Sequence, residues 1–445
     1  MKKSAWRFLW ISKDIRNRLL ITVGLLVIYR LAAHVPVPGI DREAISGVLS
    51  GSGSGQALFN LLDLLSGGTV SNFSVLAMGV YPYITAQIIL QLLTPIIPAL
   101  QRRMEEDPRD GRKWMEKWTY YLAVPMAALN AIGQIRLFQQ FTTTGENILT
   151  FELGANLSTV TTILTMTAGT MLAIWLGELI SEFGLKNQGL SLIIFAGIVS
   201  RIPTNLAGIL ADQEQRIPML LFVLALMVLT ILAIVFVQEG RRHVPVMYPG
   251  RRVGNRMSMP VKGSLPLMVN MAGMIPLIFA QSFLTFPAVV AQFFIDSSVP
   301  WIANVAVWAQ SSFGGTNTTY WILYFLMVVA FSFFYTDVLF TQQNYGENLK
   351  RAGAQIPGVT KGAPTQRYLT RVLRRITLPG ALFLGIVAIM PFLVGLIWPA
   401  ARSQSSLLLV SSAGLLIVVG VVRDVYRSIE AELKLRGYDS ALLVR

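Results

Sequence analysis

Ten long apolar segments constrain the fold of this chain more than any other feature of its sequence. A helix needs about 20 apolar residues to cross the hydrocarbon core of a bilayer. The chain has 445 residues, of which 53% are hydrophobic and 13% are charged, whereas soluble domains carry about 25% charged residues. The sequence therefore predicts an all-α polytopic membrane protein. The ten predicted transmembrane helices are residues 19–38, 76–97, 118–138, 156–180, 189–209, 217–238, 266–294, 318–340, 377–398 and 406–426.

The basic residues predict the orientation of these spans. The chain has 37 lysines and arginines against 23 acidic residues, a net charge of +14. Most of them lie in alternate loops, and such loops face the cytoplasm by the positive-inside rule. We therefore expect a multi-pass protein of the cell membrane with both termini in the cytoplasm. Nucleic-acid binding, the other common cause of a basic chain, is less favoured, and no specific nucleic-acid sequence recognition is expected. The basic loops are residues 1–18, 101–117, 239–264, 339–376 and 422–445.

The residues that support catalysis or metal binding are scarce. The chain has no cysteine, so no disulfide or thiolate chemistry is available. Its two histidines, His34 and His243, lie far apart, and no H-E-x-x-H motif occurs. We therefore predict that the protein is not an enzyme and has no metal site.

An internal repeat divides the chain. Residues 79–87 and 273–281 share Gly, Pro, Ile, Ala and Gln at five of nine positions, and a weaker match joins the fifth span to the tenth. The step is five spans, and because five is odd, the second copy crosses the membrane in the opposite sense. We predict two five-helix halves, residues 1–214 and 215–445, related by an inverted pseudo-repeat. Chance similarity between apolar helices is the alternative.

The repeat also points to a functional centre. Pro82 and Pro276 are predicted to break their helices inside the membrane, because each removes a helix hydrogen bond. A collar of aliphatic side chains could block ions by dewetting and still admit an unfolded chain. The candidate collar residues are Val80, Ile84, Ile278 and Ile417, at repeat-matched positions, and Leu190 and Ile194, on one helix face of the fifth span. The alternative is that these residues only pack or face lipid.

Two functions remain open on the residues alone. The first is a channel with an aliphatic constriction. The second is a secondary transporter, since inverted repeats and broken helices are common in that class. A transporter should place polar or ionic ligands at the membrane midplane. The main charged candidates, Arg30, Glu178 and Asp337, all lie towards span ends.

Three segments outside the spans also carry information. Residues 57–73 predict a short amphipathic helix on the outer side, which either lies on the membrane or folds back into a lumen. The basic loops 239–264 and 339–376 are long and contain turn-forming glycines and prolines. Their charge is explained by topology and by attraction to anionic lipids, but their length favours docking loops.

Motifs along nearly the whole chain resemble those of the SecY family of protein-conducting channels. Individually several are weak, but together they occur in the family's order and spacing. They are residues 35–41 (VPVPGID), 66–68 (SGG), 81–84 (YPYI), 175–178 (WLGE), 193–199 (IIFAGIV), 250–253 (GRRV), 269–273 (VNMAG), 334–336 (FYT) and 415–419 (LLIVV).

The resemblance implies a role for specific residues. It implies an hourglass pore that passes unfolded secretory polypeptides and releases membrane segments sideways into lipid. The implied pore ring is Val80, Ile84, Leu190, Ile194, Ile278 and Ile417. The implied plug contains Phe59, Leu62, Leu65, Ser66, Gly67 and Gly68, and the implied lateral gate contains Gln87, Asn130 and Pro276. The implied docking residues for the motor and the ribosome are Arg251, Arg252, Lys350, Arg351, Thr360 and Lys361.

The resemblance also implies partners, and it implies no cofactor, because in that family SecA or the ribosome supplies the driving energy. The partners are SecE, SecG, the SecA motor, the ribosome, signal peptides and nascent chains, with the lipid bilayer around them. Two positions depart from the family pattern. Thr360 stands where the family commonly has an arginine, beside Lys361, and Met268 stands where it often has a lysine. Because lysine lacks the planar fork of arginine, the first departure bears on motor coupling.

Overall fold

Helices dominate the part of the chain that the structure describes. This computed structural model describes residues 13–38, 73–94, 97–106, 108–141, 157–186, 188–211, 216–249, 252–253, 256–257, 261–295, 299–315, 317–343, 345–397 and 405–435. The first seven helices are α1 (Lys13–Ala32), α2 (Tyr81–Leu93), α3 (Pro98–Glu106), α4 (Pro108–Phe141), α5 (Leu157–Phe183), α6 (Gly189–Ala211) and α7 (Arg216–Glu239). The next seven are α8 (Ile275–Gln292), α9 (Pro300–Phe313), α10 (Thr318–Gln342), α11 (Tyr345–Arg351), α12 (Ala363–Ala388), α13 (Met390–Ile397) and α14 (Ser405–Leu435).

The helices confirm the predicted fold class. Each of the ten predicted spans overlaps a helix, and the ninth overlaps the pair α12 and α13, which is bent by 56°. Among the described residues, three helices are long and apolar enough to cross a membrane on their own, and the bent pair gives a fourth. Two further helices are apolar but shorter. The number of ten membrane spans therefore stays a prediction. The three helices lie in α5, α7 and α10.

A β-hairpin lies where the sequence predicted only a long loop. β1 (Arg241–Tyr248) pairs antiparallel with β4 (Val261–Met268), and Arg241 faces Met268 in the register. The short strands β2 (Arg252–Val253) and β3 (Arg256–Met257) pair between them. The prediction that the seventh span begins at residue 266 is wrong. β4 continues to Met268, the N–H of Val269 donates to the carbonyl of Gly240, and α8 begins only at Ile275.

The chain forms two compact units. The first comprises Met1–Val223, Ser282–Tyr320 and Ser406–Arg445. In it, α2 packs against α4, and α5 packs against α1 and α6. Small residues permit the closest approach: the Cβ of any larger residue at Gly189 would overlap the carbonyl oxygen of Gly177. The N–H of Gly189 donates to Oγ of Ser181 over 3.0 Å, which fixes the start of α6.

The second unit comprises Leu224–Gln281 and Trp321–Ser405. We call the hairpin β1–β4, the end of α10 and residues 345–376 the hairpin module. A backbone bridge joins its two sequence segments, because Met247 and Gln355 exchange N–H···O bonds of 2.8 and 2.9 Å. The two basic loops of the sequence thus fold into one body. Its buried core is Val244, Val246, Leu267, Phe340, Leu349, Ala354, Ile356, Leu369 and Leu373.

Candidate functional site

The repeated motif produces the same backbone at two helix starts. Gly79 has φ +50° and Gly273 has φ +66°, a left-handed conformation that costs glycine little. In each copy the helix begins two residues later, and the proline is its second residue. The prediction that Pro82 and Pro276 break their helices is therefore wrong. A proline in the first helical turn loses no hydrogen bond, because that N–H has no partner within the helix.

The predicted pore-ring residues are mostly buried. Val80 is the residue just before α2, and the N–H of Ile84 donates to its carbonyl over 3.1 Å, so these two lie one turn apart. Leu190 is half-buried and packs onto the cluster formed by α2, α4 and α5. Leu190 also lies close to Gly177 of α5, where an added Cβ would be 2.8 Å from Cδ2 of Leu190. The remaining three, Ile194, Ile278 and Ile417, are buried. The ring itself stays a prediction.

The second part of α8 closes against α2 and α4. The hydroxyl of Tyr81 in α2 donates to the carbonyl of Ser282 in α8 over 3.3 Å. Gly133 of α4 faces Val289 of α8 so closely that an added Cβ would lie 2.5 Å from its Cγ1. We call this contact of α8 with α2 and α4 the seam. The seam thus contains a long hydrogen bond from Tyr81 to Ser282 and a close packing contact between Gly133 and Val289.

The three predicted gate residues have different surroundings. Asn130 is buried in α4, one turn before Gly133, and its Nδ2 donates to the carbonyl of Met126 over 2.9 Å. Gln87 is partly exposed on α2, and Pro276 is buried at the start of α8. Sequence reasoning missed Gly133 and Val289. Their signal, a small residue three positions after a polar one, is too common in apolar helices to single them out.

The predicted plug is bracketed by a strand-like contact. Phe59, Leu62, Leu65, Ser66, Gly67 and Gly68 lie outside the described residues. At the edges of the undescribed segment 39–72, the N–H of Val37 donates to the carbonyl of Phe73 over 3.1 Å. The N–H of Val75 donates to the carbonyl of Val35 over 2.9 Å. The chain therefore leaves and re-enters the described structure at one place.

The predicted docking residues that are described lie on the surface of the hairpin module. Lys350 and Arg351 are exposed in α11, and Glu347 is 4.0 Å and 3.6 Å from their side-chain nitrogens, which partly offsets their charge. Thr360 and Lys361 are exposed in the turn before α12. Of the two remaining predicted residues, Arg251 lies outside the described residues, and for Arg252 only its position in β2 is described.

The arrangement of helices and motifs matches a known family. The SecY family profile matches residues 74–426. The chain belongs to the SecY family. The protein translocase subunit SecY of Streptomyces scabiei is 36% identical over 440 residues, which are 97% of this chain and 98% of that protein. The SecY subunit of Synechococcus elongatus is 37% identical over 432 residues, 96% of this chain and 94% of that protein.

Two solved structures share the fold of this chain. One is described as the structure of a protein conducting channel. It matches with a TM-score of 0.62 at 17% identity, covering 94% of this chain and 92% of that one. A second has a TM-score of 0.60 at 17% identity, and its description concerns a SecY plug domain that stabilises the closed state of the translocation channel. At this identity, the likeness establishes the fold.

Proposed function

We propose that this chain is the channel subunit of a protein translocase. In this proposal it passes unfolded secretory polypeptides across the membrane and releases apolar segments sideways into lipid. Membership of the SecY family and similarity to translocase subunits over 97% of the chain support the proposal. Such a channel needs positioning and sealing groups and no catalytic residue of its own.

The seam is the observation that carries this proposal. A channel that releases segments sideways needs a helix contact that opens at low cost. Between α2 and α8 the structure has the 3.3 Å hydrogen bond from Tyr81 to Ser282, which is long for an O–H donor. Between α4 and α8 the contact is a glycine against Val289. A glycine permits close helix packing, and a single long hydrogen bond beside it adds little to the cost of separation.

The pore and its seal follow from the sequence predictions. We propose that Val80, Ile84, Leu190, Ile194, Ile278 and Ile417 form the constriction, and that residues 57–73 close it from one side. Aliphatic rings exclude ions by dewetting while letting an extended chain pass. Burial of five of these six side chains is consistent with positions away from bulk lipid. Gln87, Asn130 and Pro276 are proposed to border the lateral opening.

The surroundings of the channel are also proposals. We place it in the plasma membrane with both termini in the cytoplasm, so that the hairpin module faces the cytoplasm. The proposed partners are SecE and SecG in the membrane, SecA and the ribosome on the module, and signal peptides and nascent chains in the pore. The exposed Lys350, Arg351 and Lys361 supply positive charge for docking, and Thr360 offers only a neutral hydroxyl.

A disulfide across the seam tests the proposed function. The chain has no cysteine, and a Cβ added at Gly133 would lie 3.8 Å from the Cβ of Val289, a distance typical of disulfides. We expect the oxidised G133C/V289C variant to lose transport of a signal-bearing substrate into proteoliposomes. Reduction of the disulfide should restore transport to the level that the same variant had before oxidation.

The matched control is a disulfide away from the seam. A Cβ added at Gly240 would lie 3.5 Å from the Cβ of Val269, so G240C/V269C closes a bond of similar geometry next to the hairpin. Its oxidation should leave transport unchanged. If the oxidised G133C/V289C variant transported as fast as the same variant with reduced thiols, the seam would not be the lateral gate.

A further inference from the structure

Four arginines line one cavity beside α12. The cavity has a volume of about 650 Å³ and lies between α12 and α10. Two apolar side chains, Phe333 of α10 and Leu378 of α12, complete the wall on the side where α12 turns apolar. The polar lining is Arg367, Arg371, Arg374 and Arg375, with Gln366 and Thr370.

One of these arginines is held in place. Nη2 of Arg374 donates to Oδ2 of Asp337 over 2.7 Å, and its Nε donates to the same oxygen over 3.1 Å. This forked bond fixes the guanidinium against α10. Within the described ranges, the other three arginines of the cavity have no ion-pair partner. Four arginines less one aspartate leave three uncompensated positive charges at the cavity.

The same face of α12 turns from basic to apolar within one helical turn. Arg371, Arg375 and Leu378 follow one another at helical spacing, and Leu382 and Ile386 continue the row. We call Leu378, Leu382 and Ile386 the apolar stripe. Their exposed fractions are 52%, 40% and 47%. Exposed aliphatic residues on a bilayer-spanning helix face acyl chains, so the arginines stand at headgroup level.

We propose that this cavity binds the headgroup of an anionic phospholipid. The phosphodiester lies between Arg371 and Arg375, and the acyl chains run along the apolar stripe. Guanidinium groups bind phosphate oxygens through paired hydrogen bonds, and the three uncompensated charges favour an anionic over a zwitterionic headgroup. A soluble nucleic-acid or acidic protein ligand would use the arginines but would leave the apolar stripe uncovered.

Lipid retention by the purified full chain tests the site. The probes are phosphatidylglycerol and phosphatidylcholine of equal acyl length, added to delipidated protein and counted by native mass spectrometry. The variant is Arg371→Gln with Arg375→Gln, which leaves the pair of Arg374 with Asp337 intact. We expect phosphatidylglycerol retention to fall about fivefold for each arginine, since a basic residue near an anionic surface contributes roughly 1 kcal/mol. Phosphatidylcholine retention should not change.

The control removes the same charge elsewhere. Arg242 and Lys262 are exposed on the hairpin, and the double change to glutamine there should leave phosphatidylglycerol retention at the wild-type level. Arg371→Lys with Arg375→Lys keeps the charge and should retain an intermediate amount, which tests the site even if the glutamine variant folds poorly. Equal retention by the glutamine variant and the control would overturn the proposal.

Two further outcomes separate the lipid from other sources of phosphate. Millimolar inorganic phosphate or glycerol phosphate should not displace phosphatidylglycerol from the wild-type protein, because neither covers the apolar stripe. Complete displacement would identify a site for soluble phosphate and overturn the lipid assignment. Normal lipid retention by the glutamine variant, together with loss of ribosome binding, would instead identify a macromolecular docking site and would also overturn it.

Discussion

Arg18 near the start of α1 and Glu432 near the end of α14 form an ion pair, with Nη1 donating to Oε1 over 2.7 Å. The two residues are 414 positions apart, and their side chains are 29% and 23% exposed. The bond joins the first and last helices that the structure describes. Partial burial reduces screening by solvent, so the pair should contribute more than a fully exposed one.

This ion pair gives the first prediction. Arg18→Gln should lower the free energy of unfolding by about 1 kcal/mol, the upper end for such pairs. The measurement is chemical unfolding in detergent micelles of Arg18→Gln, Glu432→Gln and the double variant. The double-mutant cycle should give a coupling energy of similar size that falls as salt is added. A coupling energy of zero at low salt would contradict the prediction.

The two left-handed glycines give the second prediction. Gly79→Ala and Gly273→Ala should each destabilise the protein by about 1–2 kcal/mol, because a Cβ clashes with the backbone at positive φ. Gly24→Ala is the matched control, since Gly24 lies inside α1 and an added Cβ would meet nothing within 4 Å. That change should stabilise slightly, by about 0.5 kcal/mol. Equal unfolding midpoints for all three variants would refute this account of the repeat.

The pore ring gives the third prediction. Single cysteines at Ile84, Ile194, Ile278 and Ile417 should each form a disulfide with a cysteine in a stalled secretory polypeptide. The absence of natural cysteines makes every adduct assignable. Cysteines at Leu232 and Phe236 in α7, which are 66% and 83% exposed, should form none. Adducts at the control positions alone would remove the constriction assignment.

The plug gives the fourth prediction. Deleting residues 59–70 should raise the ion leak of reconstituted vesicles with little loss of folding, because the seal is removed while the constriction remains. Phe73 is kept, since its carbonyl binds the N–H of Val37. Deletion of the Ser-Gly stretch 50–55 is the control and should not raise the leak. An unchanged conductance in the folded 59–70 deletion would show that these residues do not seal the pore.

The sequence located a helix within each of the ten predicted spans, but it did not predict α3, α9 or α11, and it was less accurate at helix ends. Hydropathy sums over about 20 neighbouring residues, so these apolar helices could be located without knowing their contacts. The start of a helix depends on a few backbone angles. Gly79 and Gly273 were noticed as repeated residues, but nothing in the pattern showed that they turn the chain and place the prolines in the first helical turn.

The hairpin was missed because its signals conflict. Val244 and Val246 are buried and alternate with exposed neighbours, which is a strand pattern. Pro245 between them argues against a strand, and the arginines nearby were explained by topology. The pairing partner, Val261–Met268, lies beyond a segment whose sequence contains turn-forming glycines and prolines. Strand pairing is decided by contacts that periodicity within one segment does not contain.

The candidate gate was predicted only in outline. Asn130 was named from the family pattern, and the structure places it one turn from the contact of Gly133 with Val289. That contact joins residues distant in sequence, and it is possible only because Gly133 has no side chain. The bond from Tyr81 to Ser282 ends on a backbone carbonyl, which carries no side-chain signal. Such features require tertiary structure.

The bridge between Pro36 and Ser74 has a consequence for how this protein can change over time. It ties both ends of the intervening segment to one point of the first unit. Because the entropy of closing a loop grows only with the logarithm of its length, residues can be added to or removed from this segment without displacing α1 or α2. Segment 39–72 and the helices that flank it can therefore change independently, so that related chains can differ in the length and sequence of this segment while α1 and α2 keep their positions.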